Sequence, residues 1–261
     1  MAPRDPILGL NEQFAADTNP KKVNLGVGVY FDDKGKLPLL ACVQAAEKAL
    51  MDKAASRGYL PIDGIAAYDS AVKVLVFGAE SAAVQEGRIA TVQALGGTGG
   101  LKIGADFLKK INPEAQVLIS DPSWENHRAL FTNAGFKVQT YAYYDAGKRG
   151  VNFDGMLASL NAAAPGTIVV LHACCHNPTG YDITPAQWDQ VIEVIKAKQL
   201  VAFLDMAYQG FGHGIAEDGA VIGKFVAAGL NFFVSSSFSK SFSLYGERVG
   251  ALSVVCGNKD E

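Results

Sequence analysis

From about residue 88 onward, short apolar runs alternate with amphipathic segments of helix length. The runs fall at 89–95, 116–120, 137–143, 167–172, 200–205, 231–237 and 250–255, and they are rich in Val, Ile, Leu and Phe. Most lack polar alternation. A strand wetted on one face alternates apolar with polar residues, whereas a strand covered on both reads as a continuous apolar run. Helices fit between the runs. The segment 101–110 follows a glycine cluster. The segment 185–198 has Thr184 as N-cap and Pro185 at the first helical position, with Trp188, Ile192 and Ile195 on one face. The segment 218–228 begins acidic and ends at Gly229. The pattern predicts an α/β sandwich around a largely parallel sheet.

The first forty residues differ. They hold a short segment at 23–30, a turn at Asp32-Asp33-Lys34-Gly35 and then a helix expected over 40–55. This part is too small to be a domain alone.

With 49% hydrophobic and 19% charged residues, the 261-residue chain is globular in composition and can bury a sizeable core. A formal net charge of −3, without any basic run, gives no reason to expect nucleic acid or an acidic membrane as partner. The amino-terminal residues lack a signal peptide's apolar stretch, and no apolar run is long enough to span a bilayer. A soluble, cytoplasmic protein is expected. Cys42, Cys174, Cys175 and Cys256 show no framework spacing and are expected to be reduced, buried thiols. Adjacent Cys174 and Cys175 on a strand would point to opposite faces and chelate poorly, so no metal site is expected.

Ligands of open α/β sheets collect at the carboxyl ends of strands. Near one such end, Ser237-Phe238-Ser239-Lys240-Ser241 sets a lysine among hydroxyls, with Arg248 a little further on. Desolvation lowers a lysine's pKa and makes its amine a usable nucleophile toward an aldehyde. Hydroxyls and a guanidinium suit a phosphate monoester. Together they suggest pyridoxal phosphate held as a Schiff base; a solvated lysine in a Ser-rich turn is the plainer alternative. At Gly96-Gly97-Thr98-Gly99-Gly100, between a strand and a helix, backbone N–H groups and the Thr98 hydroxyl could meet an anion. No Gly-Lys-Ser/Thr follows, and Lys102 stands where a third glycine of G-x-G-x-x-G belongs, so a nucleotide site is disfavoured. A plain strand-to-helix turn remains open there.

Three further strand ends carry chemistry. Pro178 and Gly180 make a turn that can present the Asn177 amide. Asp205, closing a buried strand, needs a cationic or hydrogen-bonding partner, which a protonated pyridine nitrogen would supply; helix capping is the alternative. Tyr208 is close enough in sequence to share that site. Trp124, in Asp121-Pro122-Ser123-Trp124, could stack on an aromatic cofactor or simply fill the core.

The motifs NLGVGVY (24–30), GGTGG (96–100), DPSWENH (121–127), CCHNPTG (174–180), DMAYQGFG (205–212) and SFSKSFSLYGERVG (237–250) resemble, in order, those of the class I aminotransferases of fold type I. The subgroup is that of the aspartate and aromatic amino acid enzymes, and the wording lies closer to bacterial aromatic (tyrosine) aminotransferases. The resemblance implies a mostly parallel, mixed seven-stranded sheet between helices, forming the large cofactor domain at 40–261. Residues 1–39 would supply an arm and part of a small domain. It implies pyridoxal 5'-phosphate bound to Lys240, with Asp205 on the ring nitrogen, Tyr208 and Asn177 on the ring oxygen and Trp124 stacked on the ring. Gly97, Thr98, Ser237, Ser239 and Arg248 would hold the phosphate, together with Tyr59 from the other subunit of a homodimer. Gly28, Trp124 and Asn177 would line the substrate side. Amino acids and 2-oxo acids would be the substrates, exchanged by a ping-pong mechanism. A strict aspartate aminotransferase, or a cofactor-binding fragment with little turnover, are the alternatives. Family members continue past the position of Glu261, and that further portion carries both substrate arginines, so the large domain is expected to be incomplete at its carboxyl end.

Overall fold

The computed structural model describes residues 8–24, 26 and 28–261. In chain order its elements are α1 (Leu8–Ala16), α2 (Ala41–Lys53), α3 (Ala66–Phe77), α4 (Ala82–Gln85), β1 (Ile89–Leu95), α5 (Gly96–Ile111), β2 (Gln116–Asp121), α6 (Glu125–Asn133), β3 (Lys137–Ala142), β4 (Tyr144–Asp145), β5 (Gly150–Val151), α7 (Phe153–Ala162), β6 (Ile168–His172), α8 (Pro185–Ala197), β7 (Val201–Met206), α9 (Ile215–Ala227), β8 (Phe232–Ser237) and β9 (Val249–Val255).

The chain divides into two compact units, the first ending at Lys53 and the second running Ala54–Glu261. In the first, the expected turn is present: Gly35, at φ +69°, donates its N–H to the Asp32 carbonyl at 2.8 Å, and the Asp32 N–H returns to Lys36 at 2.8 Å. Helix α2 buries none of its side chains, which leaves Cys42 exposed where a buried thiol was expected. Of the 23–30 segment, Leu25 and Val27 lie outside the described residues, and the other six form no helix or strand.

The second unit is the sandwich. Its sheet runs β1-β9-β8-β7-β6-β2-β3. Neighbours from β8 to β3 pair in parallel, and β9 alone is antiparallel to both its neighbours. All seven apolar runs form these strands. Every residue of β6 and β8 is buried, as their lack of polar alternation requires. One face packs Leu101, Ala105 and Leu108 of α5 and Phe131 of α6 against Val117, Val170 and Phe203. The other packs α3, α7, α8 and α9 through Val76, Leu160, Trp188 and Ile222. The hairpin β4–β5 was not foreseen; two residues per strand give too little pattern to read.

Helix boundaries follow local chemistry. Thr184 is the N-cap of α8 and Pro185 its first helical residue, as expected, and Gln187 completes a reciprocal capping box with Thr184. Helix α9 begins at Ile215 rather than Asp218. The Asp218 carboxylate turns back instead and accepts the N–H groups of Gly210, Gly212 and His213 at 2.8–2.9 Å. Helix α5 begins at Gly96, so the glycine cluster is its first turns rather than a preceding loop.

Candidate active site

The carboxyl ends of β6, β7 and β8, with the amino end of α5, gather nearly all the expected residues. At one side sits an anion cradle. Gly96, at φ +69°, donates its N–H to the Arg248 carbonyl at 2.9 Å, so the first turn of α5 is pinned beside the turn that leads into β9. A Cβ on Gly96 would lie 2.6 Å from Arg248 Nη2, and one on Gly97 would lie 3.0 Å from Ser237 Cβ. Only glycine permits that approach. Arg248 Nη1 donates to the Tyr245 carbonyl at 3.0 Å and reaches Ser239 Oγ at 3.5 Å. Ser237 Oγ accepts the Ser239 N–H at 3.3 Å, and Ser235 Oγ donates to the Gly97 carbonyl at 2.8 Å. Half-buried Thr98 stands in the same first turn of α5. Hydroxyls, a guanidinium and a helix amino terminus converge here, which is a donor set for a dianion.

Lys240 is the centre. Its Nζ lies 5.1 Å from the centroid of the Tyr208 ring. Burial depresses its pKa; the Asp205 carboxylate opposes that shift and the Arg248 guanidinium adds to it. Burial likewise raises the Tyr208 hydroxyl, helped by Asp205.

The far side is built from histidines. Buried Asp205 Oδ2 sits 2.8 Å from His127 Nε2; an ionised carboxylate only accepts, so Nε2–H donates. His127 Nδ1 meets Ser123 Oγ at 2.9 Å, and Trp124 stands edge-on to the His127 ring, 5.4 Å between centroids. Behind them His172 lies 4.9 Å from His127 and 4.4 Å from His176, ring to ring, and both its nitrogens lack a hydrogen-bond partner. His176 bonds Ser120 Oγ and Thr179 Oγ1, each at 2.8 Å, and stacks on Tyr143 at 3.9 Å. Burial, reinforced by His127, pushes the His176 pKa down to about 4, and burial drives His172 well below the usual histidine range. Both rings are neutral at pH 7.

Asn177, half-buried, rides the turn after β6. The Asp182 carboxylate fixes that turn by accepting the N–H groups of Cys175 at 2.6 Å and His176 at 2.8 Å. Tyr59 is fully exposed, and Gly28 belongs to the amino-terminal unit, exposed and with open space around its Cα. These two are the site candidates not brought to Lys240 by contacts within the second unit. The histidines carried no role in the sequence reading, although His127 lies three residues beyond Trp124, one helical turn away. One premise is corrected. Cys174 and Cys175 lie past the end of β6, and Cys175 adopts φ +51°, so their sulfurs do not point to opposite faces; they share a cluster with Asp218 whose ligand atoms all lie within 4.8 Å of one another.

Against known families, the model of the aminotransferases of class I and II matches residues 20–260. The chain belongs to that family. An aspartate aminotransferase of Pseudomonas aeruginosa is 65% identical over 261 residues, covering 100% of this chain and 66% of the relative. An aromatic-amino-acid aminotransferase of Escherichia coli K12 is 51% identical, covering 97% and 64%. The solved aromatic-amino-acid aminotransferase of Burkholderia pseudomallei, covalently bound to pyridoxal phosphate, superposes with TM-score 0.98 at 67% identity, over 100% of this chain and 65% of that one. The mixed seven-stranded sheet is thus the aminotransferase fold of type I, and the chain spans about two thirds the length of the relatives it matches.

Proposed function

We propose that this chain is the cofactor-holding part of a pyridoxal-phosphate aminotransferase that passes the amino group of aromatic or dicarboxylic L-amino acids to 2-oxoglutarate. The observation that carries this reading is Lys240, its pKa depressed, between an anion cradle and a buried carboxylate. The donor set fits the cofactor: the Gly96–Arg248 approach leaves no room for a Cβ but presents donors to a phosphate. When bound, pyridoxal phosphate supplies an electron sink for charge developing at the substrate α-carbon.

The chain's own residues do the rest. Lys240 Nζ would hold the cofactor covalently and, when free, would move the proton at the substrate α-carbon; burial lowers its pKa, which favours the free amine. Asp205, oriented by the His127 N–H, keeps a positive charge on the ring nitrogen. Tyr208 and Asn177 donate to the ring oxygen, and Trp124 covers a ring face. Gly97, Thr98, Ser237, Ser239 and Arg248 hold the phosphate. Trp124 and Asn177 would line the substrate side.

The reading extends to assembly. The exposed run of Tyr59, Leu60 and Ile62 supports a homodimer in which Tyr59 reaches the partner's phosphate. It extends also to domains, with residues 1–39 as arm and part of the small domain and 40–261 as the large one, and to a cytoplasmic location. Among the described residues no helix is long and apolar enough to cross a membrane.

The test adds pyridoxal phosphate to the purified chain and to Lys240→Ala, then reads visible absorbance and covalent retention after borohydride reduction. One cofactor fixed per chain, and none on the variant, is the expected result. Equal retention on both would remove Lys240 from its role. Adding phenylalanine or aspartate then reads turnover, and exclusive response to aspartate would favour a strict aspartate enzyme, the name carried by the Pseudomonas relative.

A further inference from the structure

We propose that Cys174, Cys175 and Asp218 form a site for one thiophilic d10 cation of the Zn2+ or Cd2+ class, with the Met206 thioether as fourth ligand. Two thiol sulfurs and a carboxylate oxygen lie within 4.8 Å of one another. Cys174 Sγ stands 3.7 Å from Met206 Sδ. Metal–sulfur bonds of about 2.3 Å in a tetrahedron put ligand atoms roughly 3.8 Å apart, so that edge already has the required length. The separations among the cysteine sulfurs and the carboxylate, at most 4.8 Å, would have to contract by about 1 Å at most on binding. Cys174 and Asp218 are buried and Cys175 is half-buried, so the ion would be largely removed from water with an entry path at Cys175.

Backbone geometry makes the site. Neighbouring side chains diverge on a strand, but β6 ends at His172 and Cys175 takes a left-handed φ of +51°. That conformation costs a non-glycine residue about 1–2 kcal/mol, and here it leaves the two sulfurs in one cluster. Asp218 is equally well set. Its Oδ2 accepts two backbone N–H groups, whereas Oδ1 accepts one, from His213, and keeps a lone pair. Those donors hold the carboxylate's orientation and its negative charge.

Binding is a simple exchange. Two S–H bonds break, two metal–sulfur bonds form, the two protons go to solvent, and no oxidant takes part. Cys175 Sγ is 4.0 Å from the Tyr208 carbonyl, and Asp218 anchors residues 210–213. An ion would therefore clasp the turn carrying Asn177 to the loop that follows Tyr208. The inference stands whether or not the chain binds pyridoxal phosphate.

The experiment titrates the metal-free, reduced chain with cadmium chloride, reading sulfur-to-cadmium ultraviolet absorbance and proton release. Expected are saturation at one ion per chain and about two protons per ion. Cys175→Ser should weaken binding at least tenfold, and Cys175→Gly, which suits the left-handed backbone, should do the same if the serine variant folds poorly. The double variant Cys42→Ser/Cys256→Ser should retain the full signal. No saturable signal, several ions per chain, unchanged binding in both Cys175 variants, or loss of the signal in the Cys42/Cys256 variant would each overturn the proposal.

Discussion

At one end of the Lys240 site, an exposed arginine, serine hydroxyls and the first turn of α5 converge beyond the carboxyl end of β8. At the other, Asp205, His127, His172 and His176 lie buried behind the strand ends. The first end is rich in donors, with Arg248 exposed beside the buried serines, so the loss of any one is shared among its neighbours. The second has no such reserve. There each bonded nitrogen of His127 and His176 has a single partner, and removing it strands that nitrogen in a dry interior, at about 1–3 kcal/mol per group. The two ends therefore differ in how they fail: the cradle by degrees, the histidine end abruptly.

The sharpest way to break this contrast is Asp205→Ala. It removes the carboxylate facing the ring nitrogen and leaves fully buried His127 Nε2 without a partner. We expect transamination to fall by at least about 10²–10³-fold and urea stability by roughly 1–3 kcal/mol, while cofactor still binds through the intact cradle. Unchanged rates would take Asp205 out of its role. Unchanged stability would show that the histidine end tolerates a stranded donor after all.

Acid tests the same end as a whole. The His176 pKa is held at about 4 and that of His172 well below its usual value. Above pH 6.5 both rings are neutral whether the chain is folded or not. Below it the unfolded chain takes up protons that the folded chain refuses, so stability falls as pH drops from about 6.5 toward 4. His176 alone accounts for on the order of 3 kcal/mol across that window. Urea midpoints measured at pH 7, 6 and 5 should decline steadily, and His176→Gln should flatten the decline. A level profile in the parent chain would mean that these rings titrate as if solvated.

The contrast also governs what could be read from sequence. The cradle was legible because its parts are two short local motifs, GGTGG and Ser237-Phe238-Ser239-Lys240 with Arg248 eight residues on, although the fold alone brings the two together across 138 positions. The strands were legible for a similar reason, since each is a short local run, and in β6 and β8 burial of every residue leaves no polar alternation. The histidine end was not. His127 and Asp205 are 78 positions apart, one on α6 and the other on β7, and only the tertiary fold brings them within 2.8 Å. Even within the cradle one boundary was hidden. Glycine disfavours helix, yet α5 begins at Gly96 because tertiary contact outweighs propensity. A Cβ on Gly100 would meet Ser235 Oγ at 2.6 Å, and one on Gly104 the Phe203 ring at 2.5 Å.

At the cradle the expected losses are smaller and graded. Arg248→Lys keeps the charge but loses the planar guanidinium, whose Nη1 meets Ser239 and the Tyr245 carbonyl while the rest of the fork stays available to a phosphate. Its cofactor Kd should rise about tenfold, or roughly 1.4 kcal/mol. A loss above a hundredfold would show that one donor dominates, contrary to a shared load.

Ser239→Ala should do least. Its hydroxyl meets the guanidinium at 3.5 Å, the long limit of a hydrogen bond, so the arginine is positioned mainly by the Tyr245 carbonyl at 3.0 Å. Deleting the hydroxyl removes one of several phosphate donors and leaves the backbone N–H bond to Ser237 Oγ in place. The expected change in cofactor Kd is roughly two- to tenfold, or about 0.5–1.5 kcal/mol, with urea stability within about 0.5 kcal/mol of the parent. The pair Ser239→Ala/Arg248→Lys then separates two kinds of cradle. If the donors act independently the two losses add; a double variant no worse than Arg248→Lys would mean that Ser239 acts only by steering the guanidinium.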